Sequence, residues 1–173
     1  MQILSALAFA RAREQERAEE LANRLQNQFP LDTIINRYWL PTIRASIEIN
    51  RNQPAKAVEA LENATPYELG LSNVQVEFGA LFYPPYIRGQ AYLLLHEGGK
   101  AALEFHKFID HRSLLANNPL FVLANLGLAR AYVIQGETGK ARAAYQEFFT
   151  LWKDGDLDIP VLKEAKAEYA KLQ

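Results

Sequence analysis

Small and apolar residues recur along this chain at helical spacing, and the spacing itself repeats. Between Arg88 and Phe108, in RGQAYLLLHEGGKAALEFHKF, Gly89 stands three residues before Tyr92; Ala101 follows nine later, Phe105 four after that, and Phe108 a further three. Residues three and four apart share a helix face, so each half sets a small residue beside a ring. Helices approach where side chains are small and lock where large ones fill the flanking grooves. Two antiparallel helices turning at Gly98-Gly99 and meeting at Gly89 and Ala101 are therefore expected.

The same steps can be counted three more times. From Ala129 they give Tyr132, Ala141, Tyr145 and Phe148; from Ala45, Glu48, Ala57, Leu61 and Ala64; from Ala6, Phe9, Ala18, Ala22 and Leu25. A basic residue precedes the second-helix alanine each time: Arg17, Lys56, Lys100 and Lys140. Four matches in register predict an all-α repeat protein. Its packing core is Ala6, Phe9, Ala18, Ala45, Ala57, Leu61, Gly89, Tyr92, Ala101, Phe105, Ala129, Tyr132, Ala141 and Tyr145.

Start and stop signals divide the chain into units at about 1–30, 31–65, 82–115 and 118–153, followed by a closing helix at 160–172. Pro30 ends the second helix, and Asp32 is a good N-cap for a long third one, bent at Pro41. Pro54 opens the fourth helix and Thr65-Pro66 stops it. The stretch 66–81 has no clean helical period and reads as an inter-unit loop. Pro84-Pro85 opens the next helix, Asn118-Pro119 starts another, and Gly136 provides a C-cap. In the closing helix Val161, Leu162, Ala165, Tyr169 and Leu172 face inward and would cover the open end of the core.

The segments Gly89-x-x-Tyr92…Ala101-x3-Phe105 and Leu128-Ala129-x-x-Tyr132…Ala141-x3-Tyr145 resemble tetratricopeptide repeats (TPRs), and the resemblance covers nearly the whole chain. It implies a right-handed α-solenoid of about four helix-turn-helix units. The early tryptophan of the TPR signature is missing, and Glu48 replaces the aromatic in the second unit. The second-helix alanines lie at intervals of 39, 44 and 40, against about 34 for an ordinary TPR. The stretches FPLDTIINRYWLPTIRASIEI, YIRGQAYLLL and the C-terminal ARAAYQEFFTLWKDGDLDIP resemble the C-terminal TPR region of a group of bacterial serine/threonine kinases and related regulators. That implies a non-catalytic appendage; no Gly-rich phosphate loop, HRD or DFG accompanies it.

Composition narrows the function further. The chain has 173 residues, 49% hydrophobic and 23% charged, with a net charge of −1. There is no field to attract phosphate backbones and no dense basic run, so nucleic acid is not an expected partner. The absence of cysteine excludes disulfides and thiolate chemistry. The apolar start meets charge at Arg11, which argues against a signal peptide or membrane span, and a cytoplasmic setting is the default. The first helix begins directly on repeat spacing, consistent with a longer chain upstream.

No catalytic or metal motif stands out. His106 and His111 are nearly half a turn out of phase, and no HExxH accompanies them. A calcium loop starting at Asp154 fails because Ala165 occupies its twelfth place. No cofactor is implied. The expected inner face, lined by first helices, offers Trp39, Thr42, Ser46 and Asn50 in the second unit, Tyr83, Tyr86 and Gln90 in the third, and Arg130 in the fourth. Aromatic, apolar and hydrogen-bonding groups mixed in this way suit a peptide, a helix or a neighbouring domain. Two other uses remain open: homo-oligomerisation through the first helix, and sensing of a small molecule between Trp39, Tyr83 and Tyr86.

Overall fold

Helices form wherever the small-plus-ring pattern runs. The computed structural model describes residues 2–69, 82–115, 118–156 and 158–172; among these there is helix and turn, and no strand. Helices α1 (Gln2–Arg11) and α2 (Gln15–Gln28) pack together, as do α3 (Leu40–Asn50) and α4 (Pro54–Leu61). So do α5 (Tyr83–Leu94) and α6 (Gly98–Asp110), and, after a short α7 (Arg112–Leu115), α8 (Pro119–Ile134) and α9 (Thr138–Leu151). Each pair rests on the next: α1 and α2 on α3, α3 and α4 on α5, α5 and α6 on α8. Helix α10 (Pro160–Ala170) lies against α9.

The chain reverses at four places in one way. Arg13, Asn52, His96 and Gly136 all take left-handed φ, at 66°, 57°, 57° and 73°. The next amide, of Glu14, Gln53, Glu97 or Glu137, donates to the carbonyl five residues back at 2.9 to 3.0 Å. The left-handed residue itself donates to the carbonyl three back. These paired bonds satisfy the last carbonyls of the first helix, as in a Schellman cap. Only Gly136 adopts that φ without steric penalty; the others carry about 1–2 kcal/mol each.

The repeated basic residue serves the same turn. Arg17 lies 5.5 Å from the Phe9 ring centre, Lys100 5.5 Å from Tyr92, and Lys140 5.7 Å from Tyr132. Each also pairs with the acid three residues earlier: Glu14, Glu97 and Glu137. In the second pair Glu48 stands where the ring would be and bonds Arg51 instead.

The interior is built from the expected small residues. Ala6, Ala18, Ala45, Ala57, Ala101, Ala129 and Ala141 are fully buried, with Leu61, Phe105 and Tyr145; Gly89 is buried, while Phe9, Tyr92 and Tyr132 are half-buried. Phe105 of α6 presses against two glycines at once. A Cβ at Gly89 of α5 would fall 2.7 Å from the tip of its ring, and one at Gly127 of α8 would fall 2.4 Å away. No side chain fits at either place.

Several boundaries differ from expectation. Gly98-Gly99 is not the turn; His96 takes the left-handed position, and Gly98 begins α6 where a Cβ would meet the Ala131 carbonyl at 2.7 Å. The long third helix opens at Thr33 and passes into a π turn, Ile35–Trp39, with the Leu40 amide donating to the Ile35 carbonyl. Pro41 has no amide to offer Arg37, so the ladder slips just upstream of it. Asp32 accepts from the Ile35 amide at 2.9 Å. Thr65-Pro66 does not end the fourth helix, which tightens into a 3₁₀ helix, Glu62–Tyr67, that runs through Pro66. Of the expected 66–81 loop, residues 70–81 lie outside the described residues. The sixth helix breaks at His111 and α10 ends at Ala170.

Two substitutions probe these packings. Gly127→Ala gains roughly 0.8–1 kcal/mol of helix propensity, yet the clash with Phe105 should leave a net loss of about 1–3 kcal/mol in chemical denaturation. Adding Phe105→Leu should recover part of that loss. His96→Gly should raise stability by about 0.5–1 kcal/mol, because relief of left-handed strain exceeds the added freedom of the unfolded chain; a lower melting temperature would contradict the turn geometry.

Candidate functional site

The first helices α3, α5 and α8 place the expected partner-facing residues in three different environments. Thr42 and Ser46 are core, not surface. Thr42 is 0% exposed and donates to the Tyr38 carbonyl at 2.5 Å, and Ser46 donates to the Thr42 carbonyl at 3.0 Å. Both sit one turn from their acceptors on the side of α3 that packs inward, so their hydroxyls satisfy the helix instead of a partner. Asn50 is half-buried and its amide donates to the Ala10 carbonyl, tying α3 to α1.

The aromatic residues divide similarly. Tyr86 is 6% exposed and lies edge-on to Phe105 and Phe108, with ring centres 6.1 and 6.2 Å apart. The Arg11 guanidinium lies over the ring, 5.3 Å from its centre, and Gln90 reaches the hydroxyl at 3.4 Å. Trp39 and Tyr83 are half-buried, their rings tilted at 49° with centres 6.4 Å apart. Trp39 also stands edge-on to the buried Tyr38 at 5.0 Å. Of the aromatic candidates, these two keep surface for a partner.

Arg130 is already engaged. Its Nε and Nη2 donate to Glu168 of α10 at 2.9 and 2.8 Å, and the Tyr145 hydroxyl donates to the same carboxylate at 2.7 Å. A planar guanidinium holding a carboxylate at two points fixes direction as well as distance. Sequence spacing could not pair Arg130 with a residue 38 positions away.

A second charged cluster went unnoticed in the sequence. Arg88 of α5 bonds Glu68 at 2.6 Å and Glu104 at 2.8 Å, and Lys107 completes the group at 3.1 and 2.8 Å from the same two acids. The side chains of Arg88 and Glu68 are 6% and 4% exposed. Burial opposes the Arg88 charge, but Glu104 and Glu68 more than offset it and its pKa is raised. The cluster fastens Glu68, just beyond the 3₁₀ helix, to α5 and α6, next to Tyr38.

Three tyrosines are held neutral by these surroundings. Burial, reinforced by Glu68, raises Tyr38 well above the ordinary phenol range; burial raises Tyr86 against the pull of Arg11; burial and the bond to Glu168 raise Tyr145. Folding thus favours the protonated phenol at each. Their contribution is fully present below the unfolded value of 10.0 and is lost as pH rises from there toward the higher folded values. Stability should therefore be insensitive to these groups at neutral pH and fall above about pH 10. Spectrophotometric titration should show a late phenolate step that Tyr145→Phe diminishes.

Among the described residues no group of three or more His, Cys, Asp or Glu is arranged to hold a metal ion. No helix among them is long and apolar enough to cross a membrane. No protein-family model matches the chain, and a search of curated proteins finds no match either.

Proposed function

We infer that the chain is a TPR-like interaction module. It is a right-handed solenoid of about four helix-turn-helix units with α10 as its closing helix, and it binds a protein or peptide segment without chemistry. The observation that carries this reading is the fourfold recurrence of one turn at Arg13, Asn52, His96 and Gly136, together with packing of each pair on the next. Such stacking lines up the first helices α1, α3, α5 and α8 as one continuous face. Trp39 and Tyr83 are the anchors there, since half-buried aromatic residues held by neighbours present large contact area with little ordering cost.

The resemblance to the C-terminal region of bacterial serine/threonine kinases supports a regulatory setting, in the cytoplasm, with the partner either a separate protein or another part of the same one. A small-molecule sensor is the second reading. Trp39 and Tyr83 meet at ring centres 6.4 Å apart, and Trp39 stands edge-on to Tyr38, which lies near Glu68. Homo-oligomerisation through the exposed side of α1, where Leu4 is 45% exposed, is the third.

Pull-downs with the intact chain should recover partners that Trp39→Ala and Tyr83→Ala lose, each substitution weakening binding by about 2 kcal/mol or more. Equal recovery by all three proteins would contradict the placement of the face. Sedimentation over a range of concentrations should show a monomer; a concentration-dependent dimer would favour the third reading.

A further inference from the structure

The C-terminal ends of α5 and α8 carry a second feature. Leu93 of α5, Val133 and Ile134 of α8, and Leu172 beyond α10 surround an open cleft of about 380 Å³, with Arg130, Glu168 and Lys171 at its rim. Leu93 and Val133 each lie four residues after the small residue of their helix, Gly89 and Ala129. The recurrence that builds the turns thus also sets these two apolar side chains side by side. Val133 is 42% exposed. The cleft is at the small end of ligand pockets, which run roughly 300–1,000 Å³, and so takes one or two side chains.

The charges at the rim are unequal. Glu168 accepts from Arg130 through both oxygens and from Tyr145, so Arg130 and Glu168 answer each other. The Arg142 guanidinium donates to the Leu172 carbonyl and holds the end of the α10 segment in place. Lys171, on the same wall, has no ion pair among the described residues. Glu164, 3.5 Å from Arg130, is a second acid beside that guanidinium, which leaves Lys171 as the rim cation with no ion pair among the described residues, beside an apolar floor.

We propose that this cleft docks a partner segment that sets a leucine- or phenylalanine-sized side chain against Leu93, Val133 and Ile134 and a carboxylate on Lys171. The proposal rests on the interaction-module reading and adds to it a second anchor, at the opposite end of α5 from Tyr83. The open mouth of the cleft and the exposed Lys171 ammonium favour a peptide over an enclosed small molecule.

A phage-displayed random-peptide library selected on the full chain tests this. Enriched peptides should share a bulky apolar residue next to Asp or Glu. In fluorescence-polarisation titrations Val133→Asp and Lys171→Glu should each weaken the best peptide about tenfold or more, the loss expected when one buried apolar contact or one charge pair is removed. Changing the peptide's acid to lysine should restore binding to Lys171→Glu, which a merely structural role for Lys171 would not produce. Circular dichroism of both variants should match the parent. Peptides without an acid, or peptides whose binding survives both substitutions, would overturn the cleft; if these are lost on Trp39→Ala, the interaction module stands without it. A library that yields no enriched peptide would overturn both.

Discussion

One phenylalanine ring held between two backbone notches sets the geometry of the middle of this protein. Phe105 fills the space left by Gly89 on α5 and Gly127 on α8, so three helices from two successive pairs are fixed at one contact. A methyl group on either glycine would force the ring or a helix to move, because interiors packed to crystal-like density have no slack to absorb it. The consequence reaches the surface. Tyr86 packs on Phe105 and Phe108 and is thereby held with its hydroxyl toward Gln90 and its ring beneath Arg11.

Electrostatics then fasten what packing positions. At the turns, a cation over a ring and an acid one turn away recur in three of the four pairs; each contact contributes a fraction of a kcal/mol at such exposed sites. The two inner clusters differ in weight and in purpose. Arg88, Glu68, Glu104 and Lys107 form a satisfied buried group, and removing one member of such a group leaves uncompensated charge, at about 3–5 kcal/mol. It pins the chain on leaving the 3₁₀ helix. Arg130 and Glu168 are about one-third exposed and do the same for α10, whose fully buried side chains are only Leu162 and Ala165. Polar contacts therefore join the packing of Tyr169 on Tyr145 and Phe149 in fixing that helix.

Local signals made the helices and the interior readable in advance. A small residue one turn from a ring is a statement about helix-helix distance, and the residues carrying it are buried or half-buried throughout. The repeat spacing marks Ala129 and not Gly127, because the role of Gly127 depends on Phe105, a ring from another pair. Spacing alone puts Thr42 and Ser46 on the face, but β-branched and small hydroxyl residues can bond their own helix, and these do. The turn at His96 was mistaken for Gly98-Gly99 because glycine is the usual left-handed residue. Here Gly98 is needed for close approach to α8. Glu68 read as part of a loop, and nothing local in the sequence could show that Arg88, 20 residues on, would bury it. Long-range charge pairing decided which arginine was left to meet a partner, and only the folded arrangement shows that Arg130 is not.

The nesting of Phe105 between its two glycines can be measured directly in solution. In a nuclear Overhauser spectrum of the intact chain, the ring protons of Phe105 should give strong cross-peaks to the Hα protons of both Gly89 and Gly127, with those Hα resonances displaced by the ring current. Cross-peaks to one glycine only, or to neither, would contradict the packing on which the stacked pairs depend.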